Sequence, residues 1–498
     1  MLFPLSEWLP DIPALNNPGA TVATNVIPGP NNSYESFPGL VVNASASGMA
    51  TINNFFYARD KANNTYTYAG NATKLFVQSA GSFNNASGTS APYTVATSDC
   101  WEFVSWGETV IAVDGHADLP QQISLGAAQF VSIAGAPKAR HIAVIKDFVV
   151  LGNVSDSSTM VQRVRWSGIN NSAAWSVDAA TLSDYQDLPG NGGWVQKIIS
   201  GEQGYIFQER AIWRMTFVGS PLIFQFDKIH DQIGAYAPQS VVNYENVTFF
   251  LANDGFKKFD GTNITPIGEG KVDKTFLADL DRSYVNNIRA TLYDQLKLVM
   301  WAYPGIGNTG GRCNHIMLYS YAYDRWARVD VPASLVGFDT IAIASTLGYT
   351  LDGLDAVSSS IDALLYSLDD RIWTGGALVF AAFVGDQLYY FTGTPLPAEV
   401  ETSEYNLMAS MEGNLNNLAQ IEEVWPVANG LSAAVTLTVK YRNVRTENLS
   451  SVGPNTPNDT GFAEFHNTAR YHRFNVKTTG AFDSIQGVDI TAVDAGKR

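Results

Sequence analysis

Three glycines, Gly305, Gly307 and Gly310, stand at G-x-G-x-x-G spacing in YPGIGNTGGR. A dinucleotide site of this type needs a helix opening directly afterwards, to aim its N-terminus at pyrophosphate. Here CNHIMLYSYAYD follows and reads as a strand, so the glycines are expected in a hairpin loop. Asp254 and Asp260 lie in VTFFLANDGFKKFDG and could hold calcium or act as catalytic carboxylates. Asp-Gly turn chemistry already accounts for both, because Gly accepts positive φ at little cost. Trp166 and Trp175 flank a polar turn in RVRWSGINNSAAWSVD and could stack on a sugar. The reading preferred has both rings plugging a seam between neighbouring groups of strands.

His116, His141, His230, His315, His466 and His472 are scattered, and no pair has the helical spacing of a metal site. His466 and His472 could meet across a hairpin. Walker A, H-E-x-x-H, G-x-S-x-G and sialidase Asp-box patterns do not occur in the sequence. Carboxylates abound, so a glycosidase pair stays open. No catalytic, cofactor-binding or metal-ligating set is assigned. Two cysteines, Cys100 and Cys313, are too few for a disulfide framework and are expected to be buried thiols.

The elements that would position such groups read as strands. Of 498 residues 46% are apolar and only 16% charged, and aromatics, Gly, Asn and Thr are plentiful. That bias favours strands and tight turns. With 47 acidic and 31 basic residues the formal charge is −16, so a basic nucleic-acid footprint is absent. No apolar run of about 18 residues exists, and no membrane span is expected. MLFPLSEWLPDIPAL lacks the basic and apolar regions of a secretory signal.

Residues 1–45 read as an extended arm, since Pro4, Pro10, Pro13, Pro18, Pro28, Pro30 and Pro38 deny it a helix and a central strand. Trp8, Leu9, Tyr34 and Phe37 suggest that it docks. Over 46–404 groups of about four short strands recur, starting near Thr51, Trp101, His141, Val195, Ser240, IRATLYD and LVFAAFVGD. Their spacing is that of propeller blades. KVDKTFLADLDRSYVNNI has helical spacing, with Asp273 as the expected N-cap. Residues 348–372 read as a loop with one short helix or strand. After 405, AAVTLTVKYRNV alternates strictly and opens a small β module. The expectation is an all-β chain: a β-propeller of six to seven blades, a Pro-rich arm over 1–45, and a sandwich-like module over 405–498.

Four stretches carry a resemblance: LPDIPALNNPGATVATNVIPGPNNSYESFPGL, the W-S-x-I-N-x(4)-W element from Trp166 to Trp175, IGAYAPQSVVNYENVTFFLANDGFKKFDGTNITPIG, and RYHRFNVKTTGAFDSIQGVDITAVDAGKR. The chain resembles the tail hub, or nozzle, proteins of short-tailed bacteriophages, the group of the packaged-DNA stabilisation proteins and tubular tail protein B. The resemblance implies a non-enzymatic virion protein, without cofactors, assembled in the host bacterial cytoplasm. It further implies a hexameric ring below portal and adaptor, contacts to a tail fibre or needle, and a channel that holds DNA without sequence-specific binding. An acidic lining suits this, because like charge keeps DNA from adsorbing. Trp8, Tyr34, Phe37, Trp166, Trp175 and Tyr471 are the inter-blade or interface candidates. The arm and the C-terminal module are expected to contact neighbouring subunits or the adaptor. The alternatives are a propeller-fold carbohydrate-active enzyme or lectin, and a general interaction scaffold.

Overall fold

The computed structural model describes residues 1–45, 49–79, 82–332, 334–346, 360, 378–413, 416–430 and 434–497. The loop expected over 348–372 therefore lies outside the described residues, apart from Ser360.

VTFFLANDGFKKFDG forms the hairpin its turns require. Val247–Ala252 pairs antiparallel with Gly255–Phe259, and Ala252 opposes Gly255. Gly255 has φ +136, a conformation that strains any side chain. The Asp260 carboxylate then accepts the backbone N–H of Thr262 and Asn263 at 2.9 and 2.7 Å, turning the chain into the next strand. The carboxylate that looked chemical is an Asx turn.

This unit recurs seven times among the described residues. Blade 1 runs over 52–85, blade 2 over 102–132, blade 3 over 138–187, blade 4 over 195–231, blade 5 over 242–266 and blade 6 over 289–330. Blade 7 takes three strands from 340–393 and its outermost strand, Gly39–Ser45, from the arm. Its first strand, Thr340–Ser345, packs on the first strand of blade 1, Ile52–Arg59, and closes the ring. The core is divided among the seams. Trp101, Val110 and Phe130 lie with Tyr68 between blades 1 and 2, and Phe207, Phe250 and Phe259 lie between blades 4 and 5. Phe55, Phe76 and Phe383 fill the closing seam between blades 7 and 1. Burial of such rings stabilises each seam by about 1.5–3 kcal/mol per side chain.

The remaining strands form a two-sheet sandwich, and the arm is woven through it. One sheet has the order Val26–Pro28, Tyr34–Ser36, Ser484–Asp494, Ala419–Asn429, Ala463–Ala469, and Leu2–Pro4 also pairs with Ser484–Asp494. The other sheet is continuous with blade 6. The arm strand Val22–Thr24 lies parallel to Arg325–Asp330 on one side and antiparallel to Ala398–Glu401 on the other. From there the sheet runs on through Tyr471–Thr479, Ala434–Arg442 and Ser450–Asn455.

The expected division at 45/46 and 404/405 is corrected in two places. Residues 39–45 belong to the propeller. The sandwich begins at Ala398 and includes 2–36. The prolines did not exclude strands, because the arm strands are three residues long and lie at ladder positions that prolines tolerate.

Asp273 is likewise not an N-cap. It is the first residue of the helix Asp273–Asp279, and Val272 before it makes no side-chain cap bond. The cap comes from the arm. The Asp11 carboxylate accepts the N–H of Lys274 and of Thr275, both at 2.8 Å. Asp273 instead accepts the Phe256 N–H at 3.0 Å, fastening the helix to blade 5.

Candidate functional site

The first strands of blades 2, 3 and 4 bring three polar residues together. Glu102 opens the first strand of blade 2. Its carboxylate accepts His141 Nδ1–H of blade 3 at 3.0 Å and pairs with Lys197 Nζ of blade 4 at 2.9 Å. It also accepts Gln239 Nε2–H at 3.2 Å, from the 3-10 turn Pro238–Ser240 that precedes blade 5. One carboxylate thus ties three successive blades and the turn that leads into the fourth. Burial alone would raise the Glu102 carboxyl, but Lys197 and His141 outweigh it and bring it down to about 2. Burial holds the His141 imidazole below its ordinary value, so Lys197 carries the countercharge.

Beside this network Cys100, His141, Asp99, Arg140, Gln239 and Asn286 line a cavity of about 20 Å³. Thiol, imidazole and carboxylate are the residue types of a nucleophilic triad. The cavity holds one water-sized guest and not a substrate. Burial also raises the Cys100 thiol, away from the thiolate that such chemistry uses. Cys313 is raised in the same way to about 12, and both thiols are free and buried. Among the described residues no three His, Cys, Asp or Glu side chains gather as a metal-binding set. No described helix is long and apolar enough to cross a membrane.

The second convergence is the joint between arm, blade 6 and sandwich. Arg325 is buried and donates to Gly29 O at 2.9 Å, Ser33 O at 3.0 Å and Ser6 O at 2.6 Å. Two buried carboxylates hold the sandwich side. Glu404 accepts Arg442 at 2.8 Å and Arg473 at 3.1 Å, and Glu401 takes Lys440 and Asn475. The Glu404 backbone N–H donates to Ala14 O at 2.8 Å, so the arm joins the same network.

Each aromatic candidate has a place within the chain. Trp166 packs with Val195 and Phe224 in the seam of blades 3 and 4, and Trp175 with Ile111 and Val113 in the seam of blades 2 and 3. Trp8 and Tyr34 enter the sandwich core, and Phe37 the seam of blades 6 and 7. Tyr471 is 7% exposed and receives Arg445 Nε–H on its hydroxyl at 3.1 Å. With the arm rings turned inward, the surface they were expected to offer a neighbour is used within the chain. The glycines at 305, 307 and 310 fall between the strands Leu298–Tyr303 and His315–Ser320, as a hairpin loop. His466 and His472 do not meet. His466 is exposed on one sandwich sheet and His472 is fully buried in the other. Neither His472 ring nitrogen has a partner, and burial pulls the imidazole down to about 3.

Glu102, Lys197 and Arg325 were missed from sequence. Their partners lie tens to hundreds of residues away, and the one available signal was their position at or near the start of blade strands.

No protein-family model matches the chain, and no curated protein matches it. Among solved structures it is similar to the extracellular domain of a one-component system from B. thetaiotaomicron, at 9% identity and TM-score 0.41. That likeness covers 84% of this chain and 48% of the other, so the chain spans about half the length of that protein. It is also similar to the Neurospora crassa Pan2 WD40 domain, at 7% identity and TM-score 0.37, covering 68% of this chain and 88% of that one.

Proposed function

We propose that the chain is a structural virion protein, the tail hub or nozzle of a short-tailed bacteriophage. In this reading six copies form a ring that extends the DNA channel below the portal and adaptor. The ring retains packaged DNA, passes it during ejection and offers a seat to fibre or needle proteins. The observation that carries the reading is the sheet running unbroken from blade 6, through Val22–Thr24, into the sandwich. Propeller and sandwich then move as one body, which suits a subunit that works by shape. The four stretches that resemble nozzle proteins and the charge of −16 support it further.

The DNA channel belongs between subunits in this proposal. Glu102, His141, Lys197 and Gln239 close on one another where blades 2, 3 and 4 meet, and the cavity beside them has room for one water. Electron microscopy of the purified protein tests the reading. Six-fold rings of matching mass support it. A monomer at micromolar concentration, in the absence and presence of an adaptor ring, overturns it.

One observation favours the glycan reading as second choice. Two recesses of 440 and 590 Å³ share Glu245, Asn246 and Asp260 across blade 5, with Tyr205, Tyr244 and Tyr321 on their walls. Tyrosine faces beside amides and carboxylates are the surfaces on which neutral sugars stack and hydrogen-bond. Binding or hydrolysis of a neutral oligosaccharide by a monomer would put this reading first.

A further inference from the structure

Blade 5 carries one lysine whose charge the fold does not use. Lys138, Lys197, Lys257, Lys271, Lys297 and Lys440 are buried or half-buried, and each reaches a carbonyl or carboxylate oxygen. Lys258 is half-buried as well, and among the described residues its ammonium has neither an ion pair nor a hydrogen bond. A cation held partly out of water without a partner is unfavourable, and a ligand that accepts its hydrogens removes that cost.

Lys258 opposes Phe249 on one neighbouring strand and Thr265 on the other, so these side chains share a face of the blade. Tyr319 and Tyr321 of blade 6 stand against that face, with ring centroids 6.0 and 5.8 Å from that of Phe249. Their hydroxyls donate to Asp324 at 2.7 Å and to Asp294 at 2.9 Å, which fixes both rings before any ligand arrives. Lysine and rings line the recess of 440 Å³, within the range of about 300–1,000 Å³ usual for small-molecule sites. Lys258 belongs to this recess alone, whereas Glu245 and Asp260 stand on the wall shared with the recess of 590 Å³.

We infer that this recess is a non-catalytic binding site for a neutral sugar unit, with Lys258 as the donor to its hydroxyl and ring oxygens. The aromatic rings meet the C–H face of the sugar, and Glu245 and Asp260 accept from its hydroxyls. Charge of both signs in one recess suits a polyol, which donates and accepts, over an ion of either sign. Binding without cleavage follows from the carboxylates. Hydrolysis needs one carboxyl that keeps its proton near neutral pH. The backbone N–H groups of Asn263 and Thr262 hold the Asp260 carboxyl below its ordinary value, and Glu245 is exposed to water. The inference rests on the glycan reading of these recesses and narrows it from enzyme to binding module. It is independent of the ring, because a hub subunit can carry such a site.

Ligand-observed NMR and calorimetric titration of the full chain test it, with cellotetraose, maltotetraose and tetra-N-acetylchitotetraose as probes and a reducing-end assay alongside. Lys258→Met keeps the stem and removes the donors, and Lys258→Arg restores charged donors. The expected wild type binds at least one probe and releases no new reducing ends. Lys258→Met then binds that probe roughly tenfold or more weakly, and Lys258→Arg recovers part of the loss. Both variants keep the wild-type melting temperature, because the ammonium holds nothing in the fold. Equal binding by wild type and Lys258→Met overturns the inference and leaves the glycan reading standing. Cleavage of a probe by wild type also overturns it and turns that reading to the enzyme. Absence of binding to every probe at millimolar concentration overturns the inference and the glycan reading together, and leaves the ring untouched.

Discussion

The Arg325 guanidinium lies 4.6 Å from the centroid of the Tyr34 ring, and both side chains are buried. One sits on the outer strand of blade 6, the other on an arm strand of the sandwich. The cation covers the ring while its hydrogens reach three arm carbonyls. Burial pushes the Tyr34 phenol up to about 12. The pair fastens the arm to the propeller in a water-poor site.

Replacing Arg325 by Ala leaves those carbonyls without their donor and is expected to destabilise the fold by about 1–3 kcal/mol for each one left unsatisfied. Arg325→Lys recovers only part, since one ammonium does not reproduce a planar fork. Chemical denaturation measures the loss. Limited proteolysis within 1–36 should speed up in step with it.

Asp11 caps a helix from 263 residues away along the chain. Asp11→Ala is expected to cost about 1 kcal/mol. Amide exchange at Lys274 and Thr275 should quicken while the blade 2 amides keep their rates.

Asp114 is fully buried beside Asp118, in the turn between the strands Thr109–Val113 and Gln121–Ser124. Burial, then the Asp118 carboxylate, raises its carboxyl to about 7. The folded state therefore holds a proton that the unfolded chain releases near pH 4. The stability this contributes is complete below pH 4 and lost as the pH rises to 7, by roughly 2–4 kcal/mol. Asp114→Asn should raise the melting temperature at pH 8 and leave it unchanged at pH 4. An equal effect at both pH values would refute the proton held on Asp114.

His472 works in the other direction. Its folded pKa lies near 3, below the unfolded value, so the unfolded chain takes up a proton first as the pH falls. Stability is retained above pH 6.5 and declines by about 3–5 kcal/mol towards pH 3. His472→Leu removes two unpartnered nitrogens. It should flatten that acid slope, with little loss at pH 7. Melting curves from pH 3 to 8 provide the check.

Local chemistry made much of the propeller, and one strand of the sandwich, legible. The Asn253-Asp254 turn, the alternation of Ala434–Arg442 and the recurrence of hairpins are all encoded within ten residues. The first strand of blade 7, Thr340–Ser345, escaped notice because its ladder partner, Leu378–Val384, lies beyond residues 348–372 instead of across a short turn. Ala398–Glu401 was grouped with the blades and instead pairs with Tyr471–Thr479 in the sandwich. Three-residue arm strands carry too little alternation to read, and their order comes from partners hundreds of residues downstream. The Glu102 network stayed hidden for the same reason. Its members come from three successive blades and the turn before a fourth, and only the packing of those blades brings them together.

Leu2–Pro4 pairs with residues 487–489, so the first strand of the chain waits for nearly the last. At the usual pace of about 5–20 residues per second, a ribosome needs roughly 25–100 s to supply that partner. Throughout that interval Leu2–Pro4 remains unpaired, with Phe3 uncovered. Cells making this polypeptide should therefore show chaperone association early in translation, released only when the final strand emerges.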